Sequence, residues 1–121
     1  MAYDEHLADR VRQILAEQQV HSEEKQMMGG LCFMINDKMC AGVVAETLMA
    51  RIDPELYQQA LTRPGVREMD FTGRPMKGFI FVDPEGIDAD EDLLSWLQLC
   101  LDYNPRARSH KRKSKQKGAT R

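Results

Sequence analysis

The sequence predicts an α+β fold, an antiparallel sheet with helices packed on it. Three observations carry this. Helical apolar periodicity marks both ends of the chain. Short β-compatible runs are grouped between those ends rather than alternating with helices. The links between the runs are short, as antiparallel hairpins require. The expected order is helix, a three- or four-stranded meander, helix, a strand pair, helix.

Asp4 is a candidate N-cap for the first helix. Leu7, Val11, Ile14 and Leu15 follow on one helical face, and the stripe ends near Gln18. The stretch from Val20 to Met28 is polar with a β-compatible end. Gly29-Gly30 allows a bulge or a close backbone approach. Leu31 to Ile35 and Lys38 to Val44 flank Asn36-Asp37. Both turn residues tolerate positive φ, so a tight hairpin is expected. Thr47 to Ile52 supplies the next strand after a turn at Ala45-Glu46.

Asp53-Pro54-Glu55 reads as a helix start: a capping carboxylate, Pro at the first position and an acid in the first turn. Leu56, Tyr57, Ala60 and Leu61 form its apolar side, and Arg63-Pro64-Gly65 stops it. Val66 to Phe71 and Lys77 to Val82 read as the second strand pair, joined through Thr72-Gly73-Arg74-Pro75. Asp88 with Glu91 resembles a capping box for a last helix over Ala89 to Asn104. That helix is apolar over much of its circumference, and Pro105 ends it.

The 121 residues suit one domain, with 42% hydrophobic and 30% charged side chains. Such a core folds without disulfides or metals. The net charge of −2 hides a split. Residues 1–105 hold 9 Lys/Arg against 19 Asp/Glu, a net −10, while residues 106–121 hold 8 basic residues and no acid. Two units are therefore expected: a globular body over 1–105 and a basic tail over 106–121. The tail has no apolar side chain larger than Ala and is expected to be disordered alone. The polar, acidic start from Met1 to Asp9 does not read as a secretory signal, and no apolar run approaches the ~20 residues that span a bilayer. A cytoplasmic protein without membrane contact is the expectation.

Several segments in order resemble the N-terminal domain of the TfoX/Sxy family. They are Met27-Met28-Gly29-Gly30-Leu31-Cys32-Phe33-Met34, Asp37-Lys38-Met39, Leu48-Met49-Ala50-Arg51-Ile52 and Phe71-Thr72-Gly73-Arg74-Pro75-Met76. The similarity covers roughly residues 5–104. Met28 departs from the family's usual aromatic and Asp37 from its turn Gly. Full-length TfoX-type regulators carry a second, helical C-terminal domain, where this chain has its basic tail. The resemblance implies a regulatory or protein-interaction role, with a link to transcription and competence regulation as the further expectation, and offers no catalytic residue to carry over.

The residues themselves point the same way. Cys32, Cys40 and Cys100 are an odd count inside apolar runs, which reads as reduced, buried cysteine. With a two-residue turn at Asn36-Asp37, Phe33 faces Cys40 and Cys32 points to the opposite face. No four-ligand zinc spacing exists, and His6, His21 and His110 are scattered. The acids Asp83, Glu85, Asp88, Asp90, Glu91 and Asp92 lack the spacing of a calcium loop and suit a helix start. Gly29-Gly30 is no phosphate loop and reads as a strand bulge. No catalytic residue, metal site or cofactor is expected. Arg51 and Arg74, each in a family-like motif, are candidates for a shared anion or ligand pocket, against a plainer reading in which each snorkels or pairs.

Met27, Met28, Met34, Met39 and Met49 crowd the hairpin region and read as core filling, although Met also suits adaptable binding surfaces. Both faces of the Leu31–Val44 hairpin are apolar. Helices cover one, and a partner subunit would cover the other, which makes a homodimer an expectation. In the tail, Lys111, Arg112, Lys113, Lys115 and Lys117 would contact nucleic-acid phosphates without reading sequence, since no aromatic is there to stack a base. Folding back onto the −10 body is the alternative. The function expected is a non-enzymatic regulatory or protein-interaction module. Its rival is a small enzyme or ligand-binding protein with a Cys, His and Arg pocket.

Overall fold

The structure is a computed structural model that describes residues 3–27, 29–69 and 77–107. Asp4 caps helix α1 (Glu5–Glu17), its carboxylate accepting from the N–H groups of His6 at 2.9 Å and Leu7 at 3.4 Å. The buried side of α1 is Leu7, Ala8, Val11 and Leu15, with Ile14 at its margin. The helix ends through Gln19 at φ 60°, and the N–H of Val20 donates to the carbonyl of Leu15.

Six strands follow: β1 (Glu23–Met27), β2 (Gly30–Ile35), β3 (Lys38–Val44), β4 (Thr47–Arg51), β5 (Val66–Glu68) and β6 (Phe79–Val82). They form one sheet in the order β1-β2-β3-β4-β6-β5, with every neighbouring pair antiparallel. The meander thus runs to four strands. The second strand pair joins it through β6, which sits beside β4. The edges are β1, whose first four residues are exposed and polar, and the three-residue β5. Charged or very short edges discourage edge-to-edge pairing.

Asn36 (φ 56°) and Asp37 (φ 65°) both occupy the left-handed region, as a two-residue hairpin of type I′ needs. The register from this turn is not regular. Ile35 pairs with Lys38 and Met34 with Met39, but Phe33 pairs with Ala41. Cys40 is the extra residue of a β-bulge, one position from its expected place opposite Phe33. The expected bulge at Gly29-Gly30 is absent. Gly29 (φ 78°) turns β1 into β2, and Gly30 is a close approach: a Cβ there would lie 2.1 Å from the Val43 carbonyl oxygen. The bulge forms at Cys40 because its side chain is taken up by the helical layer, as is that of Ala41.

Asp53 caps a short 3₁₀ turn (Pro54–Leu56) that leads into α2 (Tyr57–Ala60). The last helix, α3 (Asp90–Tyr103), begins after Ala89. The expected Asp88 cap is not made: Ala89 is the N-cap, and no side chain bonds there. Arg10 organises this end instead. Its Nη2 donates to the carbonyls of Ile87 (2.9 Å) and Asp88 (3.2 Å) and to the Asp90 carboxylate (3.1 Å). At the other end, Lys38 Nζ donates to the carbonyl of Asn104 at 2.9 Å, and buried Asn104 donates to the carbonyl of Ile35 at 3.2 Å. These bonds dock the C-terminal end of α3 on the β2–β3 hairpin. The described chain continues past Pro105: Arg106 pairs with Asp53 at 2.8 Å and Ala107 is buried.

The helices cover one face of the sheet. Leu31, Phe33, Ile35, Val43, Leu48, Ala50, Ile80 and Val82 pack there against Val11, Leu15, Leu93, Trp96 and Leu97. The opposite face carries a second cluster, Cys32, Met34, Met39, Met49 and Met69, each no more than 5% exposed within the single chain. Burying a side chain of this size contributes roughly 1.5–3 kcal/mol.

Two outcomes follow from these contacts. Gly30→Ala sets a methyl against backbone that cannot move aside, and urea unfolding should show a loss of about 3 kcal/mol or more. The second concerns Asp83, which accepts two bonds from Arg67 (2.8 Å each) and one from Thr47 (3.1 Å). The Arg67 guanidinium, then the Thr47 hydroxyl, hold its pKa below the usual carboxylate value against the opposing effect of burial. A depressed acid stabilises the fold above its unfolded pKa and ceases to do so as pH falls through its folded pKa. Asp83→Asn should therefore lose under ~1 kcal/mol at neutral pH, this being a partly exposed pair. That deficit should vanish in strongly acidic urea titrations.

Candidate functional site

Arg51 closes β4, opposite Phe79 of β6. Strand alternation puts both on the methionine face. The guanidinium carbon lies 5.1 Å from the Phe79 ring centroid. Its Nη1 is buried and has no hydrogen-bond partner. Burial pulls its pKa down, partly opposed by the nearby Tyr103 and Cys40. Arg74 lies outside the described residues, so the structure does not bring the two arginines together. Lys111, Arg112, Lys113, Lys115, Lys117 and His110 lie outside them too, as do Met28 and the Phe71–Met76 motif.

The three cysteines are free and buried. Cys32 is on the methionine face, its Sγ 3.9 Å from the Met27 carbonyl oxygen. Desolvation pushes its thiol up to about 11. Cys40 and Cys100 are on the helical face, so the expected separation of Cys32 from Cys40 is realised. Cys100, on α3, belongs to the same buried cluster as Cys40. The neighbouring Cys40 thiol, then burial, push the Cys100 thiol well above its ordinary value. His6 and His21 are exposed on the first turn of α1 and on the link to β1.

Two of the acids that might have suggested a metal site are held in ion pairs. Asp83 pairs with Arg67, and Asp90 with Arg10. Among the described residues, no three His, Cys, Asp or Glu side chains are arranged to hold a metal ion. His6, Arg10, Asp88 and Asp90 do line an open concavity of about 370 Å³ with Asp4 and Glu46.

A more apolar groove of about 320 Å³ lies between α2 and α3. Leu56, Ala60 and Leu99 line it, and Trp96 forms its floor beneath the Arg63 guanidinium, whose carbon is 3.9 Å from the ring centroid. No carboxylate among the described residues pairs with Arg63. Nothing in the sequence hinted at this pair. Arg63 reads there as part of a helix stop, and Trp96 as one more core residue of α3, 33 positions away.

Over residues 13–103 the chain matches the TfoX N-terminal domain. It belongs to that family. No curated protein matches it, and neither does any solved structure. As a TfoX N-terminal domain it has the six-stranded antiparallel sheet and the three helices described above. No helix among its described residues is long and apolar enough to cross a membrane.

Thiol chemistry provides a direct check on this geometry. A thiol near pKa 11 is thiolate in only about one molecule in ten thousand at pH 7. All three thiols are buried, so native protein should react with iodoacetamide far more slowly than unfolded protein. Peptide mass mapping of a timed reaction would reveal any exposed or activated thiol.

Proposed function

We propose that this TfoX N-terminal domain is a non-enzymatic protein-interaction module with a regulatory role. Its docking surface is the groove between α2 and α3. The observation that carries this is Arg63, stacked on Trp96 at the groove floor with no acid of its own beside it. Stacking fixes the guanidinium plane while leaving its N–H donors for a visiting carboxylate. Leu56, Ala60 and Leu99 would take an apolar anchor alongside. The partner that fits is a protein segment presenting an acidic residue next to an aliphatic or aromatic one. A homodimer could use the same groove, since acids are plentiful on this chain. The methionine face is less suited, because one chain already buries it.

The basic tail adds the second part of the reading. Lys111, Arg112, Lys113, Lys115 and Lys117 would give weak, sequence-independent contact with nucleic-acid phosphates, steeply reduced by salt. A cytoplasmic setting fits both parts.

Arg63→Glu separates docking from folding. The variant should keep its unfolding midpoint within a few degrees yet lose at least tenfold in affinity, measured by fluorescence anisotropy, for acidic–apolar peptides selected on the wild-type domain. Equal affinity in both would refute the groove. Removal of residues 108–121 should leave peptide affinity intact and abolish DNA retention at low salt.

A further inference from the structure

We propose that the occupant of the α2/α3 groove is a second copy of this chain, which brings Leu94 of its own α3 into the groove and sets Glu91 against Arg63. This inference rests on the groove reading above and names its partner.

The groove suits an aliphatic anchor beside a carboxylate, and the chain itself carries that pair. Among the described residues, Leu94 is the one large hydrophobic side chain left exposed, at 38%. Glu91 precedes it by three positions and Asp90 by four, so all three share one side of α3. Asp90 is already held by Arg10 at 3.1 Å. Glu91 is exposed and enters no ion pair among the described residues. Arg63 is the complement: a stacked cation with no acid beside it, next to Leu56, Ala60 and Leu99. An exposed apolar side chain with a free acid on one surface thus matches an apolar lining with a free cation on another.

The two surfaces cannot meet within one molecule. At 3.6 residues per turn, Trp96 and Leu99 lie roughly 140–160° around α3 from Leu94. Leu94 borders α1, sharing a hollow with Ile14 and Glu17, whereas Trp96 and Leu99 border α2. They flank one helix on different sides, so the contact joins unlike patches of two copies. Asp90, Leu94 and Gln98 follow one another at four-residue spacing, the spacing of a helix ridge that packs into a neighbouring groove. One ridge in one groove is a small interface, which places it among transient associations.

The test is sedimentation equilibrium of the full chain over a concentration series. The average mass of the wild type should rise with concentration. Arg63→Glu and Leu94→Asp should each weaken the association at least about tenfold. An equimolar mixture of these two variants should regain it as a one-to-one pair, because the first keeps its ridge and the second its groove. That rescue also shows that both variants fold. Glu91→Arg combined with Arg63→Glu in one chain should restore association by exchanging the charges. An acidic–apolar peptide bound in the groove should dissociate the wild-type copies. A wild type that stays monomeric, or an association that neither variant weakens, overturns the inference. The groove reading fails separately, if Arg63→Glu binds such peptides as tightly as the wild type does.

Discussion

A sheet that is apolar on both faces governs this molecule. Strands β2, β3 and β4 carry hardly a polar side chain between their turns, so neither face can be left to water. The helices satisfy one side with a core built around Phe33, Leu48, Trp96 and Leu97. On the other side a tight set of sulfur-bearing residues, with Met69 among them, excludes solvent from the strands. Met suits this second role because its flexible thioether fills uneven space where no helix offers a regular surface. Everything else about the domain, including where charge and grooves can appear, is left to the rims of these two layers.

The rims are held by a few long cations. Arg10 gathers the carbonyls ahead of α3, where a capping side chain is missing. Lys38 does the equivalent at the far end of the helix, satisfying carbonyls that a helix terminus leaves without partners. Arg67 holds Asp83 beside the short edge strand and also lies over Phe81. Individually such partly exposed contacts are modest. Their value is geometric, because Arg10 and Lys38 hold the two ends of α3 and so set the groove beside Trp96.

Much of the fold was legible in the sequence, and the reasons are local. The Asp4 cap, the Asn36-Asp37 turn and the Pro54 start each depend on residues within a few positions, and all three are found. Cys32 and Cys40 lie on opposite faces as expected, because a strand's period is two. The failures are equally instructive. Asp88 does not cap α3, because the helix begins one position later, with Ala89 as its N-cap. The bulge belongs to Cys40 and not to Gly29-Gly30, since it answers to the helix lying across the sheet.

The candidate sites were far less legible. Arg51 drew notice through its motif, but its unpaired Nη1 reflects burial, which no motif reports. Arg63 and Trp96 gave no signal at all. By itself the sequence determined the elements, their antiparallel character and the sides on which apolar residues fall, because these follow from periodicity and turn chemistry over short spans. Only the tertiary structure decided the strand order, the bulge and the juxtapositions that carry chemistry. Those depend on how α3 lies on the sheet, a matter of packing between segments 50 or more residues apart that no local pattern encodes.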